Sequence, residues 1–129
     1  MTPLDGIRVV DLSRLLPGPM CTWYLQGMGA SVVKVEEPTM GDYLRLSPPY
    51  CSDGQGAWFS SVNTGKRSVA LDLKRSVHRE ALHCLLAEAD VLVESFRPGV
   101  MARLGLAPQD LREQYPRLII CSISGFGQD

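Results

Sequence analysis

Apolar residues along the chain follow two rhythms. Short clusters rich in Val and Ile are separated by stretches in which apolar positions recur at helical spacing, and this pattern predicts strands alternating with helices. Ile7 to Leu12 reads as a first strand, ending on Asp11 and Ser13, with a Pro17-Gly18-Pro19 turn after it. A helix is predicted from Pro19 to Met28, with Pro19 suited to its first turn and Gly29 to its C-terminal cap. Ser31 to Glu36, around Val32, Val33 and Val35, is a second strand. The span from Glu37 to Ser60 carries Pro38, Gly41, Pro48, Pro49, Gly54 and Gly56 and reads as a long loop, a length often tied to function.

Arg67 to Leu73 is a third strand. Val77, Ala81, Leu82, Leu85, Leu86 and Ala89 then repeat at helical spacing and predict a helix over Ser76 to Ala89. Val91 to Glu94 is a fourth strand. Val100 to Leu104 forms a short helix, and Pro108 opens another, through Leu111 to Tyr115. Leu118 to Ile123 is a fifth strand, followed by Gly125-Phe126-Gly127-Gln128-Asp129. Strands separated by helices of this length predict an α/β fold: an open, mostly parallel sheet with helices on both faces.

Composition changes this picture little. The chain has 129 residues, 45% hydrophobic and 21% charged, which suits one soluble domain with its own core. A net charge of -1 supplies no basic field for nucleic acid. No apolar run approaches the roughly 20 residues that span a bilayer, and Met1 to Asp11 lacks a signal-peptide pattern, so a cytoplasmic protein is expected. Cys21, Cys51, Cys84 and Cys121 form no CxxC pair, and the expectation is reduced thiols without a metal site. Cys21, Cys84 and Cys121 lie among apolar neighbours and are expected to pack in the core. His78 and His83 are off the spacing that places two ligands on one helix face, and read as plain helix residues.

The candidate chemistry lies where the fourth strand ends. Val91 to Val93 is apolar, Glu94 closes the strand, and Ser95-Phe96-Arg97-Pro98-Gly99 turns the chain, with Arg103 following. Ligands of open α/β sheets bind outside the C-terminal strand ends. Arginine forks suit phosphate and a phenylalanine face suits a base, although the same residues also suit a solvated surface turn. Lys74 is expected at the end of a neighbouring strand. Asp11, Glu36, Asp72 and Glu94, all at strand ends, read as loop-fixing groups.

Two nucleotide motifs are excluded. Asn63-Thr64-Gly65-Lys66-Arg67-Ser68 has Ser60 where a P-loop needs its first glycine and Arg67 where it needs Ser or Thr, and it leads into a strand rather than a helix. The turn after the first strand, Leu15 to Pro19, lacks the GxGxxG of dinucleotide folds. The chain therefore reads as a Rossmann-like variant without that fingerprint.

An ordered set of segments resembles the N-terminal part of class III coenzyme A transferases, the group that includes formyl-CoA transferase and α-methylacyl-CoA racemase. The segments are Leu4 to Ser13, Pro17-Gly18-Pro19, Gly29 to Glu36, Asn63, Lys66 to Val69, Leu71 to Lys74, Ala89-Asp90-Val91 and Glu94 to Gly99. Leu104-Gly105-Leu106, Pro116 to Ile119 and Ser122 to Gln128 complete the set, so that it covers essentially the whole chain.

The resemblance implies that residues 1–129 are the N-terminal part of a Rossmann-like, coenzyme A-binding large domain, without the smaller second domain. It implies coenzyme A or acyl-CoA as substrate, with no permanently bound cofactor. It also implies a carboxylic acid as the second substrate and an interlocked homodimer as the assembly. The implied mechanism passes through an aspartyl anhydride and an enzyme thioester, which divide one acyl transfer into easier steps.

Carried over by position, Leu15, Leu16 and Pro17 match the loop near the thioester. Leu71 and Lys74 match contacts at the third strand's end. Ser95, Phe96 and Arg97 match the turn around adenine and phosphates, and Arg103 matches an arginine on the phosphate side. Two positions depart from some relatives. Leu16 stands where a polar residue occurs, and Glu37 stands where an arginine reaches the nucleotide.

By the same resemblance the nucleophile lies beyond Asp129, so no catalytic residue is expected in this chain and turnover by it alone is not expected. A racemase fragment and a non-catalytic coenzyme A-binding or interaction module fit the same segments.

Overall fold

Strand alternation sends Val10 and Leu12 to one face of the sheet and Val9 to the other. Both faces are therefore apolar, as a parallel sheet covered on both sides requires. The computed structural model describes residues 1–128; Asp129, which the resemblance places just ahead of the nucleophile, lies outside them. Strands β1 (Arg8–Asp11), β2 (Ser31–Glu36), β3 (Arg67–Ala70), β4 (Val91–Glu94) and β5 (Ile119–Ser122) form one sheet in the order β3-β2-β1-β4-β5. All of its ladders are parallel; Val9 faces both Val32 and Val91, and Val93 faces Cys121.

The helices are α1 (Pro17–Gly27), α2 (Ala57–Asn63), α3 (Ser76–Ala87), α4 (Val100–Arg103) and α5 (Pro108–Gln114). Leu82 and Leu86 of α3, Met101 of α4 and Leu111 of α5 pack on Val10 and Leu92 as one core. Leu25 of α1 packs with Val9, Val32 and Val93 as a second core on the other face. The expected α/β architecture is the one observed. β3 and β5 are the edges, and Ile119 stays exposed. No helix among the described residues is long and apolar enough to cross a membrane.

Several boundaries differ from the sequence reading. α1 starts two residues early, with Pro17 in the first turn as well as Pro19, because neither needs the N–H that proline lacks. Gly29 does close the helix, at φ +107°, with its N–H on the Gln26 carbonyl. β3 ends at Ala70 rather than Leu73, and it is an edge strand separated from β4 by β2 and β1, not its neighbour.

The expected loop holds a 3-10 turn over Tyr43–Leu46 and the start of α2, which runs past Ser60 to Asn63. The α2 sequence AWFSSVN is weak in helix propensity; burial of Phe59 and Val62 holds it in place of local preference. Gly56, just before it, lies so close to the Leu44 carbonyl oxygen that a side chain would not fit. Cys84 is exposed rather than in the core, since α3 turns Leu82 and Leu86 inward and Cys84 away; Cys21 and Cys121 are half-buried.

Candidate functional site

The strand order reverses between β1 and β4, so the chain leaves these two strands toward opposite faces and a crevice opens at their C-terminal ends. Ser13 to Pro17 forms one wall and Ser95 to Gly99 the other. They are tied where the Arg14 N–H donates to Ser95 Oγ at 3.0 Å. Glu94 fixes the second wall by accepting from the Phe96 N–H at 2.9 Å.

Two buried ion pairs fix the first wall. Asp11 accepts from the Ser13 N–H at 2.8 Å, from the Ser13 hydroxyl, from Thr22 Oγ1 at 2.5 Å and from Lys66 Nζ at 3.2 Å. Lys66 also donates to the Pro19 carbonyl, Thr22 Oγ1 and Asn63 Oδ1. Its donors are thus committed inside the protein, which agrees with excluding a P-loop at Asn63 to Ser68. Burial pushes the Lys66 ammonium down from its ordinary range, and Asp11 opposes that shift. Lys34 Nζ lies 2.9 Å from Asp42 Oδ2 and donates to the Ser13 carbonyl at 2.9 Å. Asp42 Oδ1 accepts from the Leu15 N–H at 3.1 Å. Leu15 sits at φ +62°, left-handed backbone that a branched side chain rarely adopts.

Glu36 ends β2 and organises the segment that follows. It accepts from Arg45 at 2.7 Å through both carboxylate oxygens, from Ser68 Oγ at 2.8 Å and from the Asp42 N–H at 3.0 Å. Burial alone raises its pKa, but these donors outweigh it and hold the carboxyl at about 2.

Glu36 releases protons on folding, because its unfolded value is 4.5. Its contribution is full above pH 4.5 and is lost as pH falls toward 2. The whole shift is worth on the order of 3 kcal/mol, roughly 2 of it gone by pH 3. Urea unfolding at pH 6 and pH 3 should show this acid loss in the wild type. Glu36→Gln should be less stable at pH 6 and show a smaller loss on acidification.

Three cavities adjoin along the crevice. The first, about 220 Å³, has Leu12, Leu71, Phe96 and Val100 as apolar walls, with Arg14 and Lys74 on its border. The second, about 580 Å³, lies between Arg14, Leu15, Pro17, Ser95, Phe96 and Arg97. The third, a groove of about 520 Å³, is lined by Lys74, Arg79, Arg103 and Leu104.

The predicted residues therefore divide. Leu15, Pro17, Ser95, Phe96 and Arg97 meet in the second cavity, Leu71, Lys74 and Phe96 in the first, and Lys74 and Arg103 in the third. Arg97 and Arg103 do not share a cavity, and Leu16, half-buried at the N-cap of α1, lines none of the three. Sequence reasoning missed Arg14, Tyr43 and Arg79. Arg14 stands just beyond β1, at the switch point, and that position was its available signal. Arg79 donates to the Leu73 and Lys74 carbonyls at 2.9 Å each, so it shapes the turn that carries Lys74.

The family model for CoA-transferase family III matches residues 4–129, and the chain belongs to that family. It is 50% identical to succinyl-CoA:mesaconate CoA-transferase of Haloarcula hispanica, over 98% of this chain and 33% of that protein. It is 47% identical to acetyl-CoA:oxalate CoA-transferase of Acetobacter aceti, over 98% of this chain and 32% of that protein. The crystal structure of a CAIB/BAIF family protein from Brucella suis superposes with a TM-score of 0.92 at 43% identity, over 99% of this chain and 35% of that one. The chain thus spans about a third of the length of the curated relatives it matches.

Proposed function

We propose that the crevice binds the nucleotide end of coenzyme A, and that residues 1–129 form the coenzyme-binding part of an enzyme that moves coenzyme A between an acyl thioester and a free carboxylic acid. What carries the reading is the convergence of the β1 and β4 loops at the switch point, with Phe96 beside an apolar cavity that Arg14 and Lys74 border, Arg97 in the adjoining second cavity and Arg103 in the third. The cations suit phosphate and the apolar cavity suits a base. The relatives named above are coenzyme A transferases, which supports the same class of substrate. A homodimeric assembly, which rests on the family resemblance, belongs to this proposal, as does a cytoplasmic location.

Calorimetric titration of the chain with coenzyme A and 3',5'-ADP tests it. The wild type should bind both, more weakly as salt rises. Arg103→Ala should weaken both by about tenfold at most, since Arg103 is exposed and its contact is partly screened. Absence of wild-type binding would remove the reading, and equal affinities in the two proteins would remove Arg103 from it.

A further inference from the structure

A fourth cavity, of about 300 Å³, lies at the other end of the sheet, over the N-terminal ends of β1, β2 and β3. Strand register builds its floor. Val10, Val33 and Arg67 form one row across the three strands, and Arg8 pairs with Ser31 two residues earlier. Alternation keeps these side chains on the face that α3 covers. α3 packs on the core through Leu82 and Leu86, so the neighbouring stripe of Leu85, Glu88 and Cys84 forms the opposite wall. This cavity shares no lining residue with the three along the crevice.

Charge on the rim says what the cavity suits. Two arginines and one glutamate line it, which leaves one positive charge over. Arg8 Nη1 donates to Glu88 Oε2 at 2.7 Å, so these two charges answer each other. Arg67 makes no ion pair among the described residues; its Nη2 donates to the uncharged Ser31 hydroxyl at 3.0 Å. Ser31 accepts that bond, and its own hydroxyl proton remains to be donated. A carboxylate beside Arg67 would therefore meet a guanidinium and a hydroxyl together. Val10, Val33 and Leu85 offer apolar burial to whatever the carboxylate carries. Glu88 on the same rim repels a second negative charge. The volume is at the small end of the roughly 300–1,000 Å³ of ligand pockets, so the body must be short.

We propose that this cavity is a separate binding site for a monocarboxylic acid with a short apolar body. The carboxylate lies on Arg67 and Ser31, and the body lies over Val10 and Val33 beneath Leu85. The site stands apart from the crevice and does not depend on what the crevice binds.

Octanoate is the probe, with octanol and suberate as its uncharged and doubly charged counterparts. In calorimetric titration the wild type should bind octanoate at least about fivefold more tightly than either. Arg67 is exposed, so Arg67→Gln should keep the fold while weakening octanoate by about fivefold and octanol hardly at all. Coenzyme A should not displace octanoate. A second measurement needs no variant. Cys84 is exposed and lines the cavity, so bound octanoate should slow its alkylation by iodoacetamide, read by peptide mapping, and leave Cys51 unaffected. Failure of octanoate to bind, equal affinity for octanol or suberate, or unchanged affinity in Arg67→Gln would overturn the proposal. So would displacement of octanoate by coenzyme A, or alkylation of Cys84 at an undiminished rate.

Discussion

Asp11→Ala should cost the fold about 3–5 kcal/mol, because it leaves a buried ammonium without its counter-charge. The Lys66 side chain is only 1% exposed and Asp11 is fully buried, so water does not replace the lost carboxylate. The substitution also strips acceptors from the Ser13 N–H and the Thr22 hydroxyl, each of which adds a desolvation cost. Against a typical domain stability of about 5–15 kcal/mol this is a large fraction, and the melting temperature should fall on the order of 15 °C.

Two further observations separate this cause from simple loss of packing. Lys66→Met in the Asp11→Ala background should recover part of the loss, since the buried charge is then gone. The deficit of Asp11→Ala should also shrink as pH rises toward 10.5. Burial depresses the folded-state pKa of Lys66, so the unfolded chain binds more protons in that window and stability climbs with pH. A deficit indifferent both to Lys66→Met and to pH would show that the ion pair is not its source.

How far the sequence reveals this molecule depends on whether a feature is local. The strands were legible because valine and isoleucine cluster where the sheet is buried on both faces, and α3 because Leu82, Leu85 and Leu86 recur on one side. α2 was not legible. Seven residues of weak propensity form a helix only because α2 packs against α1 and Phe59 meets the Arg45 guanidinium, which lies 3.8 Å from the centre of its ring. Arg45 in turn is held by Glu36 from the end of β2. No window of sequence contains that chain of contacts.

The site divides the same way. The turn at Ser95 to Gly99 announces itself by composition, since serine, proline and glycine break a strand. The acids Asp11, Glu36, Asp72 and Glu94 stand at strand ends in the sequence, and each accepts loop N–H groups or side-chain donors in the structure. Arg14 becomes significant only once Phe96 and Tyr43 are brought to it from more than one later segment of chain. The grouping of Lys74 with Phe96 also depends on topology, for their strands are not adjacent and the turn after β3 reaches over β2 and β1.

Asp42→Ala should destabilise the chain by about 3–5 kcal/mol and, separately, release the loop at Leu15. The two effects have different causes. Stability falls because Lys34, 1% exposed, loses its only carboxylate partner among the described residues. The loop loosens because the Leu15 N–H loses its acceptor, and left-handed backbone at a leucine costs on the order of 1–3 kcal/mol that the surroundings must offset. Pairing Asp42→Leu with Lys34→Met should restore much of the stability, since apolar side chains replace a buried ion pair well. It should not restore the loop, because neither new side chain offers Leu15 an acceptor. Amide hydrogen exchange reads the two apart: in the double variant the core amides of β1 and β2 should stay protected while Leu15 exchanges fast. Since Leu15 and Pro17 line the second cavity, the same variant should bind coenzyme A more weakly than its recovered stability would suggest. Slow exchange at Leu15 in the double variant would show that the loop holds its shape without Asp42, and that the buried pair serves stability alone.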